Sequence, residues 1–491
     1  MSGLDLVTLN SLPGSTRVPG LYVEVTSRGY QGSAQLERRV LLCGHRLTTG
    51  TQAAETPVMV TRAEQAKAYF GIGSQLANMV AATLAAQPGC EVWAIALDDA
   101  VGSAAATGTI TLTGSATSNG TLHLYVDGLP LRVGVRTGDD TTTMASAIVA
   151  ACAAQPDLGI TATSALGVVT LEAKWAGSTG NDIPIMHNHH MGQDETAPAG
   201  VTVAITDMSG GATDPDTGDV VASMGNQLYS TWISGWSDSA NWAQVEAELA
   251  DRWGAVKRNE GVGFAGLADT HAGLVTAGSG RNNPYTSLIG AKGSPTPPWI
   301  WAAVTGATLE GWSANDPGRP VEGLDLPGVV APKLTDRWQF EEANILLHNG
   351  ISTYRVARDG TVVLERVITT YSETSQGVPD DSWLDINRPY QLMVILAEVR
   401  NWWTKFQGYK IADDGQSMSG PNITTPLAIR ADLLALCSRM EAAGLVTDLE
   451  GWRDEVLVAR SVSDPTAVHV VLPPKMVSPL YQMHMSIEFF I

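Results

Sequence analysis

The side chains in this sequence most suited to metal or nucleophile chemistry are nine histidines and four cysteines. The densest group is His187-Asn188-His189-His190. On a strand, His187 and His189 would point the same way and could offer two imidazoles to a metal ion. Two ligands do not make a site, and a solvated loop accounts for the same residues. Asp269, His271 and Ser279 have the side chains of a hydrolytic triad, but they lie in one short segment and need not converge. A helix that starts there, with Asp269 or Thr270 as N-cap, explains them equally.

Gly261, Gly263 and Gly266 match the Gly-x-Gly-x-x-Gly spacing of a dinucleotide fingerprint. A helix rather than a strand precedes them, and they fall inside a predicted strand, so close packing of backbones is the preferred reading. The pair Trp402-Trp403 could stack on a base or a sugar, yet no basic residues surround it, and core or interface packing explains it better. No Gly-Lys dipeptide is present, which removes the phosphate-cradling P-loop. Neither a Gly-x-Ser-x-Gly elbow nor a His-Glu-x-x-His helix occurs. Cys43, Cys90, Cys152 and Cys437 are scattered in apolar or helical surroundings and read as free thiols of a reducing compartment. The chemistry-bearing residues thus predict no catalytic site, no cofactor and no metal.

The formal charge of −20 argues against a nucleic-acid partner, because phosphate binding needs clustered Lys and Arg. With 44% apolar and 16% charged residues most of the chain reads as ordered. The opening Met-Ser-Gly-Leu-Asp-Leu-Val lacks a basic segment followed by an apolar one, and no apolar run reaches the ~20 residues of a membrane helix. No secretion and no membrane insertion are expected.

At 491 residues several domains, or one with a large insertion, are required. Residues 1–30, rich in Pro and Gly, read as an arm in which Leu21, Val23 and Val25 alternate with polar neighbours as a half-buried strand would. Residues 31–101 follow an α/β pattern: a strand at Val40 to Cys43, a helix opened by Thr61 with Glu64 in a capping box, a second after Ser74, and a strand from Val92 to Leu97. Residues 102–211, rich in Thr, Ser, Gly and Ala, read as an inserted β-rich domain with one helix, Thr142 to Ala154, and a core of its own. The α/β pattern resumes over 212–371. It holds a helix from Ser239 to Trp253, a strand from Val262 to Leu267, a helix from Asp336 to His348, and a hairpin turning at Arg358-Asp359-Gly360, where Asp-Gly supplies positive φ.

Residues 372–491 open with a helix from Pro389 to Phe406, continue with one from Pro426 to Ala443, and end in a strand. There Tyr481, Met483, Met485, Ile487, Phe489 and Ile491 share one face, with Gln482, His484, Ser486 and Glu488 on the other. Such a terminal strand needs a partner.

Several segments also resemble a known family, the contractile tail sheath proteins, most closely the Mu-type branch. Val18-Pro-Gly-Leu-Tyr-Val-Glu24 is similar to the family's N-terminal arm, and Leu324-Asp-Leu-Pro-Gly-Val-Val-Ala-Pro332 to a segment before its helix and hairpin. Leu346-Leu-His-Asn-Gly-Ile-Ser-Thr-Tyr-Arg355, running into Glu365-Arg-Val-Ile-Thr-Thr-Tyr371, is the strongest match. Asp380-Asp-Ser-Trp-Leu-Asp385, Leu472-Pro-Pro-Lys475 and the end at Phe490-Ile491 continue it.

The resemblance implies a multidomain α/β (α+β) fold with a subtilisin-like but non-enzymatic core, an outermost insertion, and a C-terminal domain nearest a tail tube. It implies stacked hexameric rings around that tube, which contract to drive it through a bacterial envelope for genome ejection. The partners would be other copies of the chain, the tube protein, and baseplate and tail terminator proteins, in a virion tail assembled in the host cytoplasm. Strand exchange between subunits would then use Leu21, Val23, Val25, Met483, Met485, Ile487 and Phe489. The alternative reading is a β-rich adhesin or decoration protein of a phage particle, suggested by the Thr/Gly-rich insertion.

Overall fold

The computed structural model describes residues 37–190, 195–415 and 420–489. The predicted arm strand at Leu21, Val23 and Val25 lies outside them. The chain enters with β1 (Arg39–His45), whose unbroken apolar run marks a strand covered on both faces. Then come β2 (Val58–Val60), α1 (Ala63–Phe70), α2 (Gln75–Ala86) and β3 (Glu91–Leu97). Ser74 caps α2 through the Ala77 amide as its position suggests. Thr61 does not cap α1: its amide donates to the Gln65 side chain at 3.0 Å, so the glutamine and not Glu64 closes that turn.

The inserted stretch holds β4 (Ala105–Gly114), β5 (Gly120–Val126), β6 (Leu129–Val135), α3 (Thr141–Ala153), β7 (Ile160–Ala165), β8 (Val168–Ala176), β9 (Ile185–His187) and β10 (Val201–Ser209). They form two small antiparallel sheets, ordered β10-β4-β8-β7 and β6-β5-β9. The sequence suggests a separate core here, but one continuous buried cluster joins Ile110, Leu122, Ile148 and Trp175 to residues of the main sheet. Trp175 stands edge-on to Trp299 at 5.8 Å. The Thr/Gly-rich composition hides this, because the residues that join the cores are single aromatics spaced far apart.

The α/β pattern resumes with α4 (Thr217–Met224), β11 (Thr231–Ser234), α5 (Ser239–Arg252), β12 (Val262–Leu267), α6 (His271–Ser279), β13 (Thr286–Gly290), α7 (Pro298–Asn315), α8 (Phe340–His348), β14 (Ile351–Val356) and β15 (Val362–Arg366). Residues 334–336 form a 3-10 turn and the chain stays extended at Arg337, so α8 begins four residues later than the pattern suggests. The eight-stranded sheet runs β15-β14-β13-β12-β11-β1-β3-β2, parallel except at its two ends.

Alternate residues of β1 divide the layers. Val40 and Leu42 face α1, α2 and α7, while Leu41 and Cys43 face α4, α5, α6 and α8. Helix α7 is buried almost all round, and Gly306 lets it approach β11, where a Cβ would meet Ile233 at 2.8 Å. The hairpin β14–β15 forms as predicted, with Gly360 at φ 91°.

The remainder is α9 (Asn387–Thr404), the short β16 (Lys410–Ile411) and β17 (Ile423–Thr424), α10 (Pro426–Ala442), α11 (Leu449–Trp452), β18 (Leu457–Arg460) and β19 (Val468–Val471). Helix α9 belongs to two cores: Tyr390 and Met393 pack with the main sheet, Ile395 and Trp402 with α10 and α11. At its far end Arg400 makes a two-pronged ion pair with Glu260, which is only 4% exposed, just before β12. The final strand expected from the alternation is not formed. Residues 477–489 have no regular secondary structure.

Candidate assembly site

Open α/β sheets bind ligands where the strand order reverses, at the carboxyl ends of the strands. Here that point lies between β1 and β11, and the chain itself fills it. Gln75 receives the His45 amide at 3.0 Å and donates to the Gly235 carbonyl at 2.9 Å, bridging the two strand ends. His45 is wholly buried, and its Nε2 lies 3.0 Å from the Trp236 indole nitrogen. An indole can only donate, so this Nε2 accepts and the ring proton is on Nδ1, 3.2 Å from Asp99.

Ser178 donates to Asp214 through its hydroxyl, and through its amide at 2.7 Å. Asp214 in turn stands 3.8 Å from His45 Nε2. Ser, His and Asp therefore meet, but the imidazole nitrogen a base would use is already bonded to Trp236. The serine hydroxyl points at the carboxylate instead.

The other candidates resolve locally. Thr270 caps α6 by accepting from the Gly273 amide, Asp269 bonds the Thr270 amide, and Ser279 bonds the Thr276 carbonyl. His271 reaches Glu342 on α8 instead, so the three do not converge. A Cβ at Gly261 would lie 2.3 Å from the Tyr229 carbonyl oxygen and one at Gly266 2.0 Å from that of Pro298, so these glycines serve close packing.

His189 is 4% exposed and bonds the Ala331 carbonyl at 2.8 Å. Within the histidine run His189 is therefore buried in a joint between the insertion and the main body, while His187, Asn188 and His190 are partly exposed. Among the described residues no group of three or more His, Cys, Asp or Glu could hold a metal. Of the tryptophan pair, Trp402 is core and bonds Asp432 at 2.8 Å, while Trp403 is half exposed. Cys43, Cys152 and Cys437 are buried free thiols, and Cys90 is partly buried.

A run of exposed apolar side chains lies at the end of the chain. Tyr481 is an anchor: its hydroxyl is 3.1 Å from Asn387 Oδ1, the Val321 amide donates to it at 3.4 Å, and the Arg366 guanidinium lies 4.9 Å from its ring centre. Arg388 and Gln391 on α9 fasten Ser478 and the Val477 carbonyl just before it. Beyond the anchor every described residue is exposed, including Met483, Met485, Ile487 and Phe489, each 74–81%.

The antiparallel hairpin β18–β19 stands apart as a two-stranded sheet, with Leu457, Val470 and Val471 exposed. One face packs on the α10 core through Val458 and Val468, and among the described residues neither edge pairs with a further strand. The alternation in the sequence located the tail. It gave no sign that Tyr481, one of the apolar set, is the residue that stays behind, because Asn387 and Arg366 lie about a hundred positions away in the chain.

Comparison with known proteins places the chain in a family. Residues 210–370 match the model of the phage tail sheath protein central domain, and residues 378–490 that of the phage tail sheath C-terminal domain. The Mu-like prophage FluMu tail sheath protein of Haemophilus influenzae is 33% identical over 488 residues, covering 99% of this chain and all of the relative. Among solved structures, the sheath tail protein of Desulfitobacterium hafniense is 12% identical, over 94% of this chain and 97% of that one, with a TM-score of 0.48. The helical sheath of the anti-feeding prophage in its contracted state is 11% identical, over 97% and 99%, with a TM-score of 0.49. With both sheath domains matched and a relative aligned from end to end, the chain belongs to the phage tail sheath family.

Proposed function

We propose that this chain polymerises into stacked hexameric rings around a tail tube, and that the polymer contracts to drive the tube through a bacterial envelope for genome ejection. The observation that carries the reading is the pairing of needs at the C-terminal end. An anchored tail exposes Met483, Met485, Ile487 and Phe489, and among the described residues neither it nor the two-stranded hairpin β18–β19 has a further strand beside it. Strand addition satisfies both, supplying main-chain hydrogen bonds to the edge and burying one side of the tail. The N-terminal arm, with Leu21, Val23 and Val25, is proposed as the second added strand.

In this arrangement residues 372–491 lie nearest the tube and 102–211 outermost, with 31–101 and 212–371 forming the sheath core between them. Tube, baseplate and terminator proteins are the proposed partners, and the host cytoplasm the place of assembly. The work of contraction comes from a lattice that buries more surface than the extended one, a few kcal/mol per subunit summed cooperatively. No nucleotide or catalytic group takes part. Negative-stain images of the purified chain test the proposal: hollow helical cylinders are expected, and a strictly monomeric protein at every concentration would contradict it.

A further inference from the structure

The insertion meets the main body at a joint crowded with imidazoles. His123 on β5 and His187 on β9 flank the β5–β9 pairing, and Asn188, in the left-handed region at φ 49°, turns the chain so that His189 enters the seam. His189 bonds the Ala331 carbonyl at 2.8 Å through Nε2. Its Nδ1, His187 Nε2 and His123 Nδ1 are all buried without a hydrogen-bond partner among the described residues, although His123 Nδ1 lies 3.7 Å from a Glu195 carboxylate oxygen. Around them stand Tyr125 at 5.5 Å from the His189 ring, His190 at 4.8 Å, and Arg132 opposite His123 on β6.

One carboxylate faces the cluster from the insertion. Glu195 is 6% exposed and accepts from the Tyr125 hydroxyl at 2.6 Å and the His190 amide at 2.8 Å. The 329–337 side brings Lys333 and Arg337 to a cleft of about 620 Å³ that His189 and His190 also line. Asp359 on the same cleft already receives the Thr361 amide.

We infer that this seam is an acid-sensitive latch, in which protonation of His187 and His189 breaks the joint between residues 185–190 and the 329–333 loop. A proton on His187 Nε2 or on His189 Nδ1 would sit on a buried atom with no acceptor among the described residues, beside Lys333 and a second imidazole. Burial first, with the neighbouring cations, holds both imidazoles below their ordinary range, outweighing the Ala331 carbonyl at His189 and Glu195 at both, which act upward. A depressed imidazole contributes closure that is complete above the ordinary histidine value and is lost as the pH falls below it. At Glu195 burial works upward, but the bonds from Tyr125 and His190 outweigh it and hold the acid low, so its contribution is also lost toward acid. Asp127 and Asp182, elsewhere in the insertion, are both pushed up to about 7, chiefly by burial, and act in the opposite sense. Whole-chain stability therefore mixes the two effects, and the latch must be read locally.

Hydrogen exchange of the full chain, corrected for intrinsic rates, reads it at the Asn188 and His190 amides, which donate to the His123 carbonyl and to Glu195. Each imidazole kept neutral in the closed seam raises opening up to about tenfold per pH unit below the ordinary value near 6.5. Between pH 6.5 and 5.0 opening should thus rise up to about sixteenfold per histidine, with helix α10 unaffected. In His187→Gln/His189→Gln, which keeps polar groups that do not titrate, that rise should vanish. An unchanged seam in the parent, or an equal rise in the variant, would overturn the inference. Should the variant not fold, assigned carbon-13 imidazole titration of the parent decides: His187 and His189 titrating below the ordinary range support the latch, and ordinary titration of both refutes it.

Discussion

Removing the Tyr481 side chain should free the tail without unfolding the subunit. The ring is partly buried, which contributes about 1.5 kcal/mol. The Arg366 cation over its face adds about 0.5 to 1 kcal/mol. Its hydroxyl is 3.1 Å from the Oδ1 of Asn387, a residue with no exposed surface whose amide nitrogen is already engaged by the Pro317 and Arg319 carbonyls. Losing that hydroxyl leaves a buried acceptor unsatisfied, at about 1 to 2 kcal/mol.

Tyr481→Ala should therefore weaken docking by about 3 to 4 kcal/mol and Tyr481→Phe by about 1 to 2 kcal/mol. A protease needs several extended residues past its cleavage point, so trypsin can cut after Lys475 only when residues 476–481 have lifted away. Cleavage there, followed by mass spectrometry, should accelerate roughly 300-fold in the alanine variant and roughly tenfold in the phenylalanine variant, as 1.4 kcal/mol corresponds to a factor of ten. The global unfolding midpoint should not move. Equal cleavage rates in all three proteins, or a matching fall in global stability, would refute the anchor.

Three further outcomes are expected. Ile487→Pro, or Val23→Pro in the arm, should give a soluble subunit with parental circular dichroism that forms no cylinders; polymerisation like the parent's would contradict strand exchange. Arg400→Ala leaves Glu260 buried without its partner and should cost about 3 kcal/mol in denaturant unfolding, whereas replacing both by methionine should cost clearly less. Asp127, raised from 3.8 to about 7 by burial, holds a proton in the folded chain that the unfolded chain releases. Stability therefore falls as the pH rises from about 4 to about 7. Asp127→Asn should remove much of that loss and be about 2 kcal/mol more stable than the parent at pH 8, with no gain at pH 5; a constant difference across this range would refute it.

The sequence revealed most where a rule acts over a few neighbours. The apolar run of β1, the Asp359-Gly360 turn, the Ser74 and Thr270 caps and the helices α3, α5 and α10 all follow from local pattern. What it hid depends on contacts between distant positions. Nothing near Trp175 marks it as the partner of Trp299, so the insertion read as self-contained. The histidine run read as a loop because Ala331, its partner, is 142 residues away. The change of neighbours along α9, from the main sheet at Tyr390 to α10 at Trp402, leaves no trace in a helical period. The terminal alternation led to a strand that residues 477–489 do not form, because alternation alone does not say whether a strand finds its partner within the chain.

That last question is the centre of the account, and a reconstruction of the polymer at side-chain resolution answers it. Residues 483–489 of one subunit should lie as an added strand along the β18–β19 hairpin of another, with Met483, Met485, Ile487 and Phe489 turned to the same buried side. A polymer in which the tail folds back on its own subunit, or in which both hairpin edges stay bare, would contradict it.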